Sequence, residues 1–131
     1  MNDLMIHNQP HSEDAEEKLI ATCLLDGDSS IYDEVSQLVT ADDFYTLRGK
    51  LMFRALGEVA SANEPFDEIA FSEHLKASGG LDEVGGMAGV FSVMNRATTS
   101  IQSGYLAKTI AEKSKLRELM RSCRTAVEQA E

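Results

Sequence analysis

The sequence predicts an all-α protein: a compact bundle of about six helices followed by one long C-terminal helix. Apolar residues recur three and four positions apart through most of the chain, which is the period of a helix. Gly, Asp and Asn separate these stretches, and no alternating apolar and polar run typical of a strand occurs. We divide the chain into a flexible N-terminal arm over 1–11, a globular helical domain over 12–99 and the long helix over 100–131, the first half of a helical hairpin.

Capping residues predict where the helices begin. Ser12 is a good N-cap, and the acidic residues after it favour the positive end of the helix dipole, so we expect a helix over about 12–25. Further helices are predicted over about 47–61, after the cap Asp67, and over about 87–96. We expect the core to contain Leu19, Cys23, Leu38, Phe44, Leu51, Phe53, Leu56, Phe71, Leu75, Val90, Phe91 and Met94.

The last helix carries a second apolar pattern. Its roughly 30 residues would span about 45 Å, which exceeds the width of a domain of this size. Spacings of four and three residues along it are typical of a coiled-coil seam. The seam comprises Leu116, Met120, Cys123, Val127 and Ala130. Basic residues line its flanks: Lys115, Arg117, Arg121 and Arg124. Because a seam needs a facing helix, we predict an arm that pairs with another helix. The alternative is a helix that packs back on its own domain.

The net charge of −10 is unevenly distributed. Residues 1–95 carry 5 Lys/Arg and 18 Asp/Glu, whereas residues 96–131 carry 7 and 4. Since Lys and Arg supply most of the affinity for phosphates, we expect no direct binding to duplex DNA. A basic protein partner, or solubility alone, explains the acidic part. The sequence lacks a signal-peptide pattern and a long apolar stretch, so we expect a cytoplasmic protein without a membrane span.

No pattern typical of catalysis or of a cofactor site occurs. The only Gly-Lys pair, Gly49-Lys50, lies in a predicted helix and lacks the upstream glycine of a phosphate-binding loop. The three histidines are dispersed, and Cys23 and Cys123 fit small core positions better than metal-ligand spacing. We therefore predict no catalytic residue, no cofactor and no metal in this chain. A hydrolase site assembled only by folding, with His11 or His74 beside Cys or Ser, is the alternative.

Five short segments follow one another between residue 10 and about residue 120. They are PHSEDAE leading into LLD, DFY leading into FRAL, EPFD, LDEVGG, and YLA leading into EKSKLR. In this order and spacing they resemble the N-terminal domain of the DnaB-type replicative DNA helicase family. The chain departs from the family pattern at Gly49, where histidine is usual, at Asn63, where glycine is usual, and at Gly89, where a bulkier residue is usual.

The resemblance implies a collar on a hexameric helicase in DNA replication. Such a domain self-associates as dimers and as a trimer of dimers, and it docks primase and, in some lineages, a helicase loader. The resemblance implies partner contacts on the first helix and the arm, for which the candidates are Asp14, Glu16, Glu17 and Met120. It also implies pairing of the arm through Leu116, Met120, Cys123 and Val127.

ATP and Mg²⁺ would belong to a motor domain outside this chain, so we expect a piece of a longer helicase. Two alternatives stay open at this point. One is the helicase-binding C-terminal domain of a primase, whose fold is similar. The other is a stand-alone phage or plasmid regulator that mimics the collar. The DFY and EPFD segments favour the helicase.

Overall fold

The computed structural model describes residues 9–130. Within this range the chain forms six α-helices and two 3-10 turns, and no strand. The helices are α1 (Glu13–Leu25), α2 (Ser30–Val35), α3 (Leu47–Ser61), α4 (Glu68–Ala77), α5 (Gly86–Met94) and α6 (Ser103–Ala130). The 3-10 turns are Ala41–Asp43 and Ser100–Gln102. The predicted all-α class with a long last helix is confirmed.

Local capping sets the starts of three helices. Ser12, Thr46 and Asp67 each accept a hydrogen bond from the amide three residues further along, the geometry that favours Ser, Thr and Asp at this position. The predictions of helices over 12–25 and 47–61 are confirmed to within one residue.

The core surrounds α1, which packs against α3, α5 and α6. Most of the predicted core residues are buried, but the predictions for Leu38 and Phe91 are wrong because both side chains are exposed. Helix α5 turns Val90 and Val93 inward, so Phe91, about 100° further round the helix than Val90, points to solvent. Leu38 lies beyond the end of α2, where the neighbouring Val39 takes the inward position.

Helix α6 has a packed part and a projecting part. Shortly before α6 begins, the amide of Thr98 donates to the hydroxyl of Thr22, late in α1. Further along α6, Arg117 donates to the carbonyl of Pro10, just before α1. The two helices therefore run antiparallel. Beyond Arg117 every side chain through residue 130 is exposed, except the half-buried Met120. Residues 118–130, here called the projecting segment, extend about 20 Å. The alternative of a helix that packs back on its own domain therefore holds as far as Arg117 and is wrong for the projecting segment.

The N-terminal arm predicted over 1–11 falls largely outside the described residues. Its last residues are not a free arm, however. The carbonyl of Pro10 accepts a hydrogen bond from Arg117 at 2.8 Å, and the ring of His11 stacks on Tyr45 with centroids 4.2 Å apart. A stacked ring and a charge-assisted hydrogen bond hold this end of the chain against the body. Among residues 9–130, no helix is both long and apolar enough to cross a membrane.

Candidate functional site

The predicted seam of α6 is open to solvent. Leu116 is 45% exposed and Val127 is 62% exposed, Met120 is half-buried, and Cys123 is exposed, so this cysteine is not a core residue. Successive residues of a helix are rotated by about 100°, which places these four side chains on one side of α6. The exposed Leu119 widens the same stripe. The chain itself therefore leaves an apolar helical face uncovered.

The apolar face begins earlier than the sequence pattern indicated. Tyr105 is 72% exposed and precedes Leu116 by about three helical turns, so it lies on the same side of α6. Ile101, in the 3-10 turn just before the helix, is also exposed. Thr109 and Glu112 interrupt the apolar stripe between these residues and the seam. That polar interruption is why the seam alone was evident in the sequence, although the three-turn spacing from Leu116 could have indicated Tyr105.

The point where α6 leaves the body is organised by Arg117, which sequence reasoning placed on a charged flank. Its side chain is buried, and its two terminal nitrogens donate to the carbonyls of Pro10 at 2.8 Å and Asp43 at 2.7 Å. The guanidinium carbon also lies 5.3 Å from the centroid of the Tyr45 ring. One turn earlier, the Ser114 hydroxyl donates to the Asp43 carboxylate at 2.9 Å. The signal in the sequence was the final arginine of the EKSKLR segment.

Glu16, a candidate partner contact, lies inside the fold with 1% of its surface exposed. One carboxylate oxygen accepts from the amide of Tyr45 at 2.7 Å. The other accepts from the amide and the hydroxyl of Thr46, at 3.2 and 2.8 Å. Thr46 is the N-cap of α3, so the carboxylate joins α1 to the positive end of the α3 dipole. A partner protein cannot reach this buried carboxylate, and Glu16 has a structural role instead.

Glu17 is likewise buried and is not a surface contact. Its carboxylate lies 3.5 Å from Arg48 and 3.4 Å from Arg96, so two cations from different parts of the chain meet one acid. Burial raises the pKa of Glu17, while the positive charges of Arg48 and Arg96 act in the opposite direction. Its place between these residues makes it a link between α1, α3 and the end of α5.

Asp14 alone among the three acidic candidates presents a carboxylate to solvent. Its side chain is 55% exposed, lies 3.0 Å from Lys18 and also pairs with Arg96. The hydrogen bond from Lys18 and the charges of both cations lower the pKa of Asp14. Partner contact by Asp14 and by Met120 stays a prediction, and the geometry meets its requirement of an accessible side chain.

Two glycines that depart from the family pattern are required by their surroundings. A Cβ at Gly49 would lie 2.6 Å from the Glu16 carboxylate, and a Cβ at Gly89 would lie 1.9 Å from the carbonyl oxygen of Val84. The Gly49-Lys50 pair therefore sits inside α3 beside a buried carboxylate, an anionic environment that repels phosphate. These residues do not fit ATP.

Among the described residues, neither His11 nor His74 is hydrogen-bonded to a cysteine or a serine, the contact that the hydrolase alternative requires. His74 faces two acids, with Nε2 at 2.5 Å from Glu64 and Nδ1 at 3.5 Å from Glu58. Cys23 is buried, and burial raises its pKa to about 12, which disfavours the nucleophilic thiolate. Cys123 lies on the projecting segment. Within residues 9–130 no group of three potential metal ligands converges.

Comparison with known proteins bears on the alternative interpretations of the sequence motifs. The family model described as the DnaB-like helicase N terminal domain matches residues 8–112. The replicative DNA helicase DnaB of Haemophilus influenzae is 32% identical over 111 residues, which are 85% of this chain and 23% of that protein. Replicative DNA helicase DnaB of Geobacillus stearothermophilus is 30% identical over 113 residues, 86% of this chain and 24% of that protein.

A solved structure shows the same fold. The crystal structure of the N-terminal domain of DnaB helicase from Mycobacterium tuberculosis superposes with a TM-score of 0.86 at 24% identity, covering 92% of this chain and 85% of that chain. The present chain spans about a quarter of the length of the two full helicases. The comparisons favour the helicase over the primase alternative. The chain belongs to the family of DnaB-like helicase N-terminal domains.

Proposed function

We propose that this chain is a collar domain of a hexameric replicative helicase, which associates with other copies through α6 and serves as a docking surface for primase and, in some lineages, a loader. The observation that carries this proposal is the apolar seam left open on the outer part of α6. Leu116 is exposed beside the point where α6 leaves the body, and Val127 is exposed on the projecting segment. Soluble proteins seldom expose contiguous apolar faces that have no partner.

The seam also indicates how strong the pairing is. Four seam residues are expected to pair, Leu116, Met120, Cys123 and Val127. Burying the exposed part of each side chain is worth about 1 kcal/mol, because a full Leu, Met or Val contributes about 1.5–3 kcal/mol. Two copies of the seam then contribute about 8 kcal/mol, against an association cost of about 4 kcal/mol, the lower end of its range. Pairing of isolated chains is therefore weak, with a Kd of about 1 mM. Additional contacts within a hexamer would strengthen it.

Charge supports docking of a basic protein surface on the body. Residues 1–95 hold 18 of the 22 acidic residues, and Asp14 places one carboxylate where a partner reaches it. Exposed charges chiefly accelerate association, whereas an apolar anchor such as Met120 prolongs the complex. We assign Asp14 the first role and Met120 the second. Glu16 and Glu17 act only indirectly, by fixing α1 in the body.

Catalysis lies outside this chain in this proposal. The Gly49-Lys50 pair does not fit a nucleotide phosphate, and the chain covers about a quarter of the length of the related helicases. ATP and Mg²⁺ would be bound by a motor domain elsewhere in the protein.

Self-association is tested by sedimentation velocity from about 10 µM to 2 mM, a range that spans the expected Kd. We expect the weight-average mass to rise with concentration, and Val127→Glu to suppress the rise. Ile69→Glu is the matched control, because Ile69 is 69% exposed on α4, away from the seam. A wild-type chain that stays monomeric over the whole range, or equal effects of the two substitutions, would contradict pairing through the seam.

Docking is tested by calorimetric titration with the C-terminal domain of primase. Met120→Ala leaves folding unchanged, since its side chain is only half-buried, but weakens docking. Asp14→Ala is compared with Glu13→Ala, an exposed acid one residue earlier on the same helix. Unchanged affinity in Met120→Ala rejects the anchor role, and equal losses in the two acid variants reject a specific role for Asp14.

A further inference from the structure

Arg117 is a buried cation that bonds to main-chain oxygens. Arg117 is 7% exposed, and both of its terminal nitrogens donate to backbone carbonyls. Burying a guanidinium group costs several kcal/mol unless its donors are satisfied in good geometry. A helix that only passes the edge of the helical body does not need a buried arginine. The position of Arg117 in the fold indicates what its hydrogen bonds achieve.

The two carbonyls lie at separate entries into the helical body. Pro10 precedes the N-cap of α1, and Asp43 ends the 3-10 turn that leads into α3. One side chain of α6 therefore connects the beginnings of two other helices. Tyr45 reinforces the connection, since Arg117 lies over its ring and His11 stacks on it. The segments that lead into α1 and α3 therefore meet α6 at Arg117, its last buried residue.

A small rotation at this point has a large effect at the tip. The projecting segment is about 20 Å long, so a swing of about 15° moves its end sideways by about 5 Å, roughly half of the about 8–10 Å that separates the axes of packed helices. A lateral displacement of that size lifts the seam side chains near the tip out of the holes that a partner helix offers them. Pairing through the seam therefore demands that the direction of the segment be fixed before a partner arrives.

We propose that Arg117 is the positioning residue of α6, which fixes the direction of the projecting segment by joining it to the carbonyls of Pro10 and Asp43. Residues 9–11 and α6 then behave as one mechanical unit. The importance of a fixed direction rests on the proposed pairing, whereas the fixing itself is a property of the single chain. Lysine cannot replace the arginine, because its single ammonium group lacks the planar fork that reaches two carbonyls at once.

The direction of the segment is measured by pulsed electron paramagnetic resonance between two spin labels. Native Cys123 is exposed and accepts one label, while Cys23 is buried with a pKa raised to about 12 and stays unlabelled. Lys76→Cys on the exposed side of α4 supplies the second position. Dilute samples, in which the chain is monomeric, give the intramolecular distance alone. Failure of self-association therefore leaves this measurement unaffected.

We expect a narrow distance distribution in the wild type and at least a twofold greater width in Arg117→Lys. Tyr45→Leu, which removes the stacked ring, is expected to broaden the distribution as well, and it serves if Arg117→Lys does not fold. Val93→Ala is the control, because it removes buried volume in α5 and lowers stability without touching this cluster. A width in the folded arginine or tyrosine variant equal to that of the wild type overturns the proposal, as does equal broadening in Val93→Ala.

Discussion

Removal of the Glu16 carboxylate is expected to destabilise the fold strongly, although acidic residues of a first helical turn are usually replaceable. Three donors converge on this carboxylate: the amides of Tyr45 and Thr46 and the hydroxyl of Thr46. The donors stand about 30 residues away in the sequence and at the start of another helix. Loss of Glu16 thus removes the link between α1 and α3 as well as a cap.

The magnitude follows from the donors left without an acceptor. Glu16→Ala leaves two main-chain amides unsatisfied at about 1–3 kcal/mol each, while the Thr46 hydroxyl reorients. We expect a loss of about 3–5 kcal/mol, which is a large share of the about 5–15 kcal/mol typical of a domain. Glu16→Gln keeps one acceptor oxygen but turns an amide NH2 towards a donor. Its expected loss is about 2–4 kcal/mol.

The assay is equilibrium unfolding in urea, followed by circular dichroism, with the free energy of unfolding extrapolated to water. Glu73→Gln on the exposed side of α4 removes the same charge without removing a buried acceptor. The control is expected to stay within about 0.5 kcal/mol of the wild type. If Glu16→Gln unfolds at the same urea concentration as Glu73→Gln, the buried link contributes nothing measurable and the reasoning fails.

Three other predictions concern close packing, acid stability and thiol reactivity. Gly49→Ala is expected to lower the free energy of unfolding by about 1–3 kcal/mol, because its Cβ would lie 2.6 Å from a carboxylate oxygen. Gly104→Ala is expected to raise the free energy of unfolding by up to about 1 kcal/mol, because a Cβ there has no neighbour within 4 Å. Urea titrations that rank the two variants in the opposite order would contradict this. The lowered pKa of Asp14 gives stability that is present above its unfolded pKa of about 3.9 and is lost as the pH falls through the folded value. Asp14→Asn is therefore expected to flatten the decline of the melting temperature below about pH 4. Equal slopes of melting temperature against pH in the variant and the wild type would contradict this. A thiol reagent at pH 8 modifies Cys123 rapidly and Cys23 only on unfolding, and mass spectrometry showing two rapid modifications would contradict the burial of Cys23.

Helix positions were predictable because their causes are local. A cap such as Ser12 or Thr46 bonds to an amide three residues away, so the sequence around it contains both partners. Periodicity likewise predicted that α6 continues far beyond the width of the body. The seam at Leu116 and Val127 followed from the same repeat, and the structure leaves it uncovered.

Burial of charged residues was not predictable because it depends on segments far apart in the chain. Glu16 looked like an exposed acid of a first turn until α3 supplied its donors. Arg117 looked like a flank residue of a coiled coil until residues 10 and 43 met it. The inward side of α5 was equally uncertain, since Val90 and Phe91 are both apolar and only packing against α1 selected the valine.

The sequence alone therefore determined the helical class, most helix ends and the family resemblance, all of which depend on short-range patterns. The tertiary structure decided which acidic residues remain available to a partner, where α6 leaves the body and what holds it there. The physical reason is that a charged side chain enters the interior only when distant backbone groups satisfy it, and the fold alone brings those groups together.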